Sequence, residues 1–227
     1  MDGMKPFEKD RFSTSAGEVE IVFLGHGSLL FNFREMNIYV DPFSRVANYA
    51  QLPQADMILL THEHRDHLDP AALAPIQAET TTLILTPTCA TQLAGGIVMQ
   101  NGDERDARGI HIQGVPAYNR VHKRDDGQPF HPKGVGNGYI LTFGDRRIYV
   151  AGDTEDIPEM QGLGKIDVAF LPMNLPYTMT PEMVAQAARM IRPAVLYPYH
   201  YGETDPARLV TLLKAEPSIE VRIRRLA

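Results

Sequence analysis

The chain has 227 residues, enough to bury a full-sized core as one α/β domain or two small ones. Hydrophobic residues at 44% and charged ones at 22% are those of an ordinary globular protein, and no apolar run is long enough to span a bilayer, which excludes a helical membrane protein. A net charge of −6 argues against a general nucleic-acid or anionic-membrane binder, and the single cysteine, Cys89, excludes an internal disulfide or a thiolate-rich metal site. The start, MDGMKPFEKDRF, has no apolar core or small-residue cleavage site, so a secretory leader is not expected and the cytoplasm is the expected compartment.

In chain order, apolar and β-branched runs between turn signals predict strands at EVEIVFL, SLLFNF, NIYV, MILLT, TTLILT, IHIQGVPAY, GYILTF, RIYVAG, DVAFL, AVLYPY and IEVRI. Helical patterns lie between them over Pro70–Gln77, Thr88–Leu93, Pro181–Ile191 and Pro206–Lys214. Three of these open with a polar residue and a proline (Asp69-Pro70, Thr180-Pro181, Asp205-Pro206), where the missing proline N–H costs nothing. Strands then strand-helix units occur twice, which predicts one domain, 1–227, of two similar β-rich halves, about 1–109 and 110–227, packed face to face. The longest interruption, Val121 to Gly138, is long enough to suspect a functional loop.

The positions just past the strands are lopsidedly polar. NIYV is followed by Asp41, MILLT by His62, IHIQGVPAY by Asn119, RIYVAG by Asp153 and AVLYPY by His200. Ligands in layered α/β folds gather at the carboxyl ends of strands, so these ends predict a polar site on one edge. The densest group is THEHRDHLDP, Thr61 to Pro70. His62 and His64 turn the same way on an extended segment, while Asp66 and His67 occupy the tight turn before the helix, so one loop aims two ligands at each of two metals. Asp153 in AGDT is the natural bridging carboxylate. Two such ions ~3.5–4 Å apart acidify a shared water into a nucleophile, the chemistry of a hydrolase.

FLGHGSLLF, YVDPF, THEHRDH, GVPAYN, AGDT, LPMN and YPYHYG together resemble the metallo-β-lactamase-fold hydrolases over nearly the whole length, above all the branch of L-ascorbate-6-phosphate lactonase-like proteins. The resemblance implies an α/β (α+β) fold, a four-layer αββα sandwich of two mixed sheets with helices on the outer faces. It implies that His62 and His64 bind a first metal, Asp66, His67 and His200 a second, and that Asp153 bridges. The family supplies a third first-site histidine where this chain has Asn119. Either Asn119 ligates through its amide oxygen, or His122 or His131 of the next loop replaces it, with His131 favoured because Pro132 and nearby glycines pin its turn.

Several residues carry a functional and a plain reading together. His26, between two glycines, and Asp41 are candidates to support the ligands or touch substrate, or are simple turn residues. His122, Lys123, Arg124 and Lys133 are candidates to hold an anionic group, or a solvated loop; Tyr177 and Met179 are candidates for the pocket wall. Cys89 at a helix start invites a lowered pKa, although nothing pairs it with a base. Thr154 reads as capping a turn, His111 as facing solvent, and Arg222, Arg224 and Arg225 as the wet face of the last strand.

The expected activity is metal-dependent hydrolysis, by a metal-bound and bridging hydroxide, of an ester, lactone, amide or phosphodiester in a small, anionic or neutral substrate, with Asp66 and His200 handling protons. One or two zinc ions suit the ligands, and manganese or iron fit too. The alternatives are a mononuclear iron dioxygenase, a di-iron oxygen reductase (disfavoured by His64 and the lack of a flavin domain), and a non-catalytic metal- or metabolite-binding member. The partner is a small molecule; nucleic acid and membrane are not expected, and nothing opposes a homo-oligomer.

Overall fold

A computed structural model describes residues 6–227; residues 1–5, the first part of the segment read as carrying no leader, lie outside it. Two seven-stranded mixed sheets face each other. The first holds β1 (Glu8–Thr14), β2 (Gly17–Gly25), β3 (Ser28–Phe33), β4 (Met36–Val40), β5 (Met57–Leu59), β6 (Thr82–Leu85) and β7 (Ile97–Val98) in chain order. The second holds β8 (Glu104–Ala107), β9 (Ile110–Ala117), β10 (Gly136–Phe143), β11 (Arg146–Val150), β12 (Val168–Pro172), β13 (Val195–Tyr199) and β14 (Glu220–Val221), also in chain order. In each, the first four strands form an antiparallel meander and the remainder add in parallel. The chain changes sheets between Val98 and Glu104, so β8 pairs with β9.

Alternation decides which side chains face inward. Ile21, Phe23, Phe31, Leu59, Leu141, Val150, Phe170 and Tyr197 interdigitate between the sheets and are fully or almost fully buried. The opposite sides of the parallel strands are apolar as well, because helices cover them. α1 (Pro70–Ile76) packs on the first sheet over Tyr39, Ile58 and Leu83, and α2 (Pro181–Ile191) with α3 (Ala207–Leu212) on the second over Tyr149, Ala169 and Leu196. Asp69 caps α1 through the Ala71 N–H at 3.0 Å, and Thr180 caps α2 through Met183 at 3.2 Å, each before a proline at the first helical position. No helix among the described residues is long and apolar enough to cross a membrane.

Some elements differ from the sequence expectation. Thr88–Leu93 shrinks to one 3-10 turn, Cys89–Thr91, without a side-chain cap. Cys89 is wholly buried, and burial pushes its thiol up to about 11, the reverse of an activated cysteine. β1 is an unforeseen edge strand whose Lys9 and Arg11 pair with Glu20; charge hides such a strand from hydrophobic pattern reading and also protects the edge from foreign strands. Arg222 and Arg224 are not a wet face. They turn onto Asp10, Arg224 at 2.8 Å to both carboxylate oxygens, and lie over Phe12, Phe23 and Tyr197, joining β1 of one sheet to the C-terminal end of the other.

The hairpin turns at Ser15-Ala16, Arg34-Glu35, Arg108-Gly109 and Gly144-Asp145 all lie on the edge away from the strand ends singled out above. Arg34, Glu35, Arg108 and Gly109 take positive φ (49°, 64°, 50° and 78°), as two-residue hairpins matched to strand twist require. Turns from the two sheets touch there, Ser15 N–H donating to Asp145 Oδ1 at 2.7 Å.

Candidate metal centre

The carboxyl-side ends of β4, β5, β11 and β13 and the loop after β9 converge on the other edge. Asp41 leaves β4 with φ 46° and is completely buried, and it organises the loop after β5. Its Oδ1 accepts the Thr61 N–H at 2.8 Å; its Oδ2 accepts the Thr61 hydroxyl at 2.6 Å and His67 Nδ1 at 2.7 Å. A proton held on His67 Nδ1 leaves Nε2 as the lone-pair nitrogen facing the centre. Thr61 Oγ1 also lies 3.0 Å from His62 Nδ1 and fixes that ring. Gly152, at φ 64°, turns the chain after β11 so that Asp153 points inward; a Cβ there would lie 2.8 Å from the Asn137 carbonyl oxygen.

The ligand atoms fall into two groups that share Asp153. Around Oδ2 lie His131 Nε2 at 3.2 Å and His62 Nε2 at 4.0 Å, and His62, His64 and His131 present nitrogens within 4.8 Å of one another. Around Oδ1 lie His67 Nε2 at 3.5 Å and His200 Nε2 at 3.7 Å, which are themselves 3.7 and 3.4 Å from Asp66 Oδ2. Ligands bound at ~2.0–2.2 Å on a tetrahedron stand about 3.3–3.6 Å apart, so the second set is nearly at binding separation. Four of these buried atoms, His62 Nε2, His67 Nε2, His200 Nε2 and Asp153 Oδ1, have no hydrogen-bond partner. Orphaned buried polar atoms are rare and costly, and four clustered about one carboxylate fit a cation-binding centre.

Electrostatics agree. Burial and neighbouring histidines hold His62 and His64 below their ordinary range, so both are neutral and keep a lone pair. Burial opposes charge on His67, yet Asp153, Asp41 and Asp66 push it up to about 10: the carboxylates call for positive charge here. Burial opposes charge on Asp153 and Asp66 too, but facing histidines, His200 foremost, hold both well below the carboxylate range.

The remaining candidates divide. His131 enters the centre and Asn119 stays outside it, because both ends of the Asn119 amide are spent. Its Oδ1 accepts the N–H of His131 at 2.8 Å and His131 Nδ1 at 2.6 Å, while Nδ2 donates to Glu155 at 3.0 Å and to the Tyr177 carbonyl at 2.9 Å. Asn119 therefore aims His131 Nε2 inward. His26, at φ 52°, brings Nε2 to 3.0 Å from Asp66 Oδ2 and its ring to 3.7 Å from that of His200, itself at φ 45°. Left-handed backbone at three non-glycine residues of one site is the kind of strain that accompanies function. His122 pairs with Glu155 and Lys133 with Glu159, so neither reaches the centre. Tyr177 lines the cleft above it, Met179 is core, His111 pairs with Asp106, and Thr154 ties Asp153 to the Tyr118 backbone.

Sequence reasoning missed the residues that act through others. Thr61 shares Asp41 with His67, and Asn174 meets His200 Nδ1 at 3.2 Å. Glu155, fully buried, accepts from the backbone N–H of Arg120, Val121 and His122 at 2.6, 2.6 and 2.7 Å, from His122 Nδ1 and from Asn119. Its only sequence signal is standing two places after Asp153. Arg65 and Phe130 of the cleft wall had no signal either.

Residues 20–200 match the model of the β-lactamase superfamily domain. The chain belongs to the metallo-β-lactamase superfamily. A UPF0173 metal-dependent hydrolase of Pelotomaculum thermopropionicum is 29% identical over 220 residues, covering 90% of this chain and 96% of the relative; that of Thermus thermophilus is 32% identical over 198 residues, covering 84% and 87%. Among solved structures, a candidate metal-dependent hydrolase of Parabacteroides distasonis is 48% identical with a TM-score of 0.93, covering 97% of this chain and all of that one. The observed αββα arrangement is that of the metallo-β-lactamase fold.

Proposed function

We propose that this chain is a metal-dependent hydrolase with a two-ion centre that cleaves an ester, lactone, amide or phosphodiester bond of a small molecule. His62, His64 and His131 with Asp153 Oδ2 would hold one ion, and Asp66, His67 and His200 with Asp153 Oδ1 the other. The observation that carries this reading is the grouping of ligand atoms about both oxygens of Asp153: orphaned His67 Nε2 and His200 Nε2 about the orphaned Oδ1, and orphaned His62 Nε2 with His131 Nε2 about Oδ2. The family name of the relatives supports the same activity.

Imidazole and carboxylate suit zinc, which when bound acidifies water and polarises a scissile carbonyl or phosphoryl oxygen. The chain supplies the rest. Asp66, braced at Oδ2 by His26 at 3.0 Å and by His200 at 3.4 Å, would hold the second ion and is placed to accept a hydrogen bond from the attacking water and so orient it. Phe130 and Tyr177, ring centroids 5.1 Å apart, line one side of a cleft of about 400 Å³ and offer an apolar surface for the substrate.

Elemental analysis after zinc or manganese loading tests the centre: two equivalents per chain are expected, one after His131→Ala, and neither tight metal nor hydrolysis after Asp153→Ala. A single iron in the wild type, or two equivalents retained by His131→Ala, overturns the assignment.

A further inference from the structure

We propose that the cleft contains an oxoanion subsite, formed by Arg65 and Arg124, that grips a phosphate, phosphonate or carboxylate group of the substrate at a distance from the bond cleaved. This deepens the hydrolase reading and rests on it for the word substrate; binding of the anion stands separately.

The first observation is position. Arg65 and Arg124 line the same cleft of about 400 Å³ as His64, Asp66, His131 and His200. Arg65 sits inside the H-x-H-x-D-H loop, with a candidate ligand on either side fixing its backbone. Arg124 is held by the small hairpin in which its N–H donates to the Gln128 carbonyl at 2.7 Å, and its guanidinium lies over the Phe130 ring at 5.2 Å.

The second observation is lack of engagement. Arg108, Arg146, Arg189, Arg208, Arg222 and Arg224 reach carboxylates, while other arginines such as Arg45 and Arg192 do not; what sets Arg65 and Arg124 apart is that they are unpaired inside the cleft that holds the candidate ligands. Among the described residues neither Arg65 nor Arg124 has a carboxylate within 4.0 Å; Arg65 makes no hydrogen bond, and Arg124 spends one N–H on the Phe130 carbonyl at 3.3 Å. A guanidinium presents five donors in a fork that matches an oxoanion, so most of both forks face the cleft unused.

The third observation is charge. The carboxylates lining the cleft are Asp66 and Asp153, both assigned to the ions, so nothing there answers the arginines. The sequence-flagged cations His122 and Lys133 are excluded because Glu155 and Glu159 hold them. Arg65 and Asp66 also border a neighbouring cleft with His26, Phe43 and Arg45. There Arg45 lies over Phe43 at 5.9 Å, but that cleft holds only Asp66 of the candidate ligands, whereas the T-shaped Phe130–Tyr177 pair beside Arg124 shares its cleft with His64, Asp66, His131, Asp153 and His200 and offers a surface for the apolar body of the substrate. The geometry therefore selects the Arg65–Arg124 side for an anion carried on an apolar or flat group.

Calorimetric titration of the full chain with phenylphosphonate, on metal-free and on zinc-loaded protein, tests this. Metal-free wild type should bind it, with affinity falling as salt rises, and should not bind the uncharged dimethyl ester. Arg65→Gln and Arg124→Gln should each weaken binding about 10- to 100-fold, the range for a charge-assisted hydrogen bond, with an unchanged melting temperature. Arg45→Gln should leave it unaltered. Unchanged binding in both cleft variants, loss confined to Arg45→Gln, or equal binding of the neutral ester overturns the subsite. Zinc content of the same samples is read in parallel: failure of the wild type to take up zinc sinks the hydrolase reading while leaving the metal-free titration decisive for the anion.

Discussion

Glu155→Gln is nearly isosteric and should nonetheless be severe, because every partner of this carboxylate is a donor. Oε1 receives Asn119 Nδ2, His122 N–H and His122 Nδ1; Oε2 receives the N–H of Arg120 and Val121, both at 2.6 Å. Glutamine must point an NH2 group at one of these sets. The milder choice turns it toward Arg120 and Val121, leaving two part-buried N–H groups facing donors at up to about 1–3 kcal/mol each, so a loss of about 2–6 kcal/mol is the expected range. For a chain of this size about 4 kcal/mol lowers the melting temperature by about 8–16 °C. The damage should be directional: Asn119 loses its brace, His131 loses its aim, and the first ion weakens about 10- to 100-fold while the second is retained. Thermal melting by circular dichroism, followed by zinc competition against a chromophoric chelator, reads both effects, with exposed Glu79→Gln as the control. A melting temperature within about 2 °C of wild type with two equally tight zinc sites would refute the idea that Glu155 holds the loop through Asn119.

Asp41→Asn must offer NH2 to either Thr61 or His67, and should weaken the second ion about 10- to 100-fold in the same chelator assay. Gly152→Ala forces left-handed backbone onto alanine and drives Cβ to 2.8 Å from the Asn137 oxygen; urea unfolding should show a loss of about 2–5 kcal/mol, with metal uptake falling as Asp153 shifts. Burial opposes charge on Asp10, but Arg224, Tyr197 and Arg222 outweigh it and hold its carboxyl below the ordinary value. A lowered folded pKa contributes stability above the unfolded value of about 3.9 and loses it as pH falls through the folded value. Asp10→Asn should thus lower the urea midpoint at pH 7 and converge on wild type in strong acid; an equal penalty at pH 7 and pH 2.5 would show that its charge is irrelevant.

The fold was legible because period-two apolar runs such as EVEIVFL and GYILTF state their buried face directly, and because Asp69-Pro70 and Thr180-Pro181 mark helix starts chemically. β1 was illegible since its neighbours, not its own composition, make it a strand. THEHRDH and AGDT announced their residues through spacing alone, whereas Thr61, Asn174 and Glu155 work through partners tens of residues away and leave no local period. Asn119 shows the limit most clearly. Its place after β9 marked it as a ligand position, but only the folded loop reveals that it holds a histidine instead of a metal.

The four tight turns opposite the centre have a practical corollary. Because each antiparallel meander reverses there and every candidate ligand leaves a strand at the other end, the molecule has one edge devoted to chemistry and one that merely closes hairpins. Exposed turn tips tolerate cutting and insertion better than any other part of a fold. Arg108-Gly109 is therefore a natural opening for a circularly permuted chain, or for a reporter domain carried at the edge opposite the candidate centre.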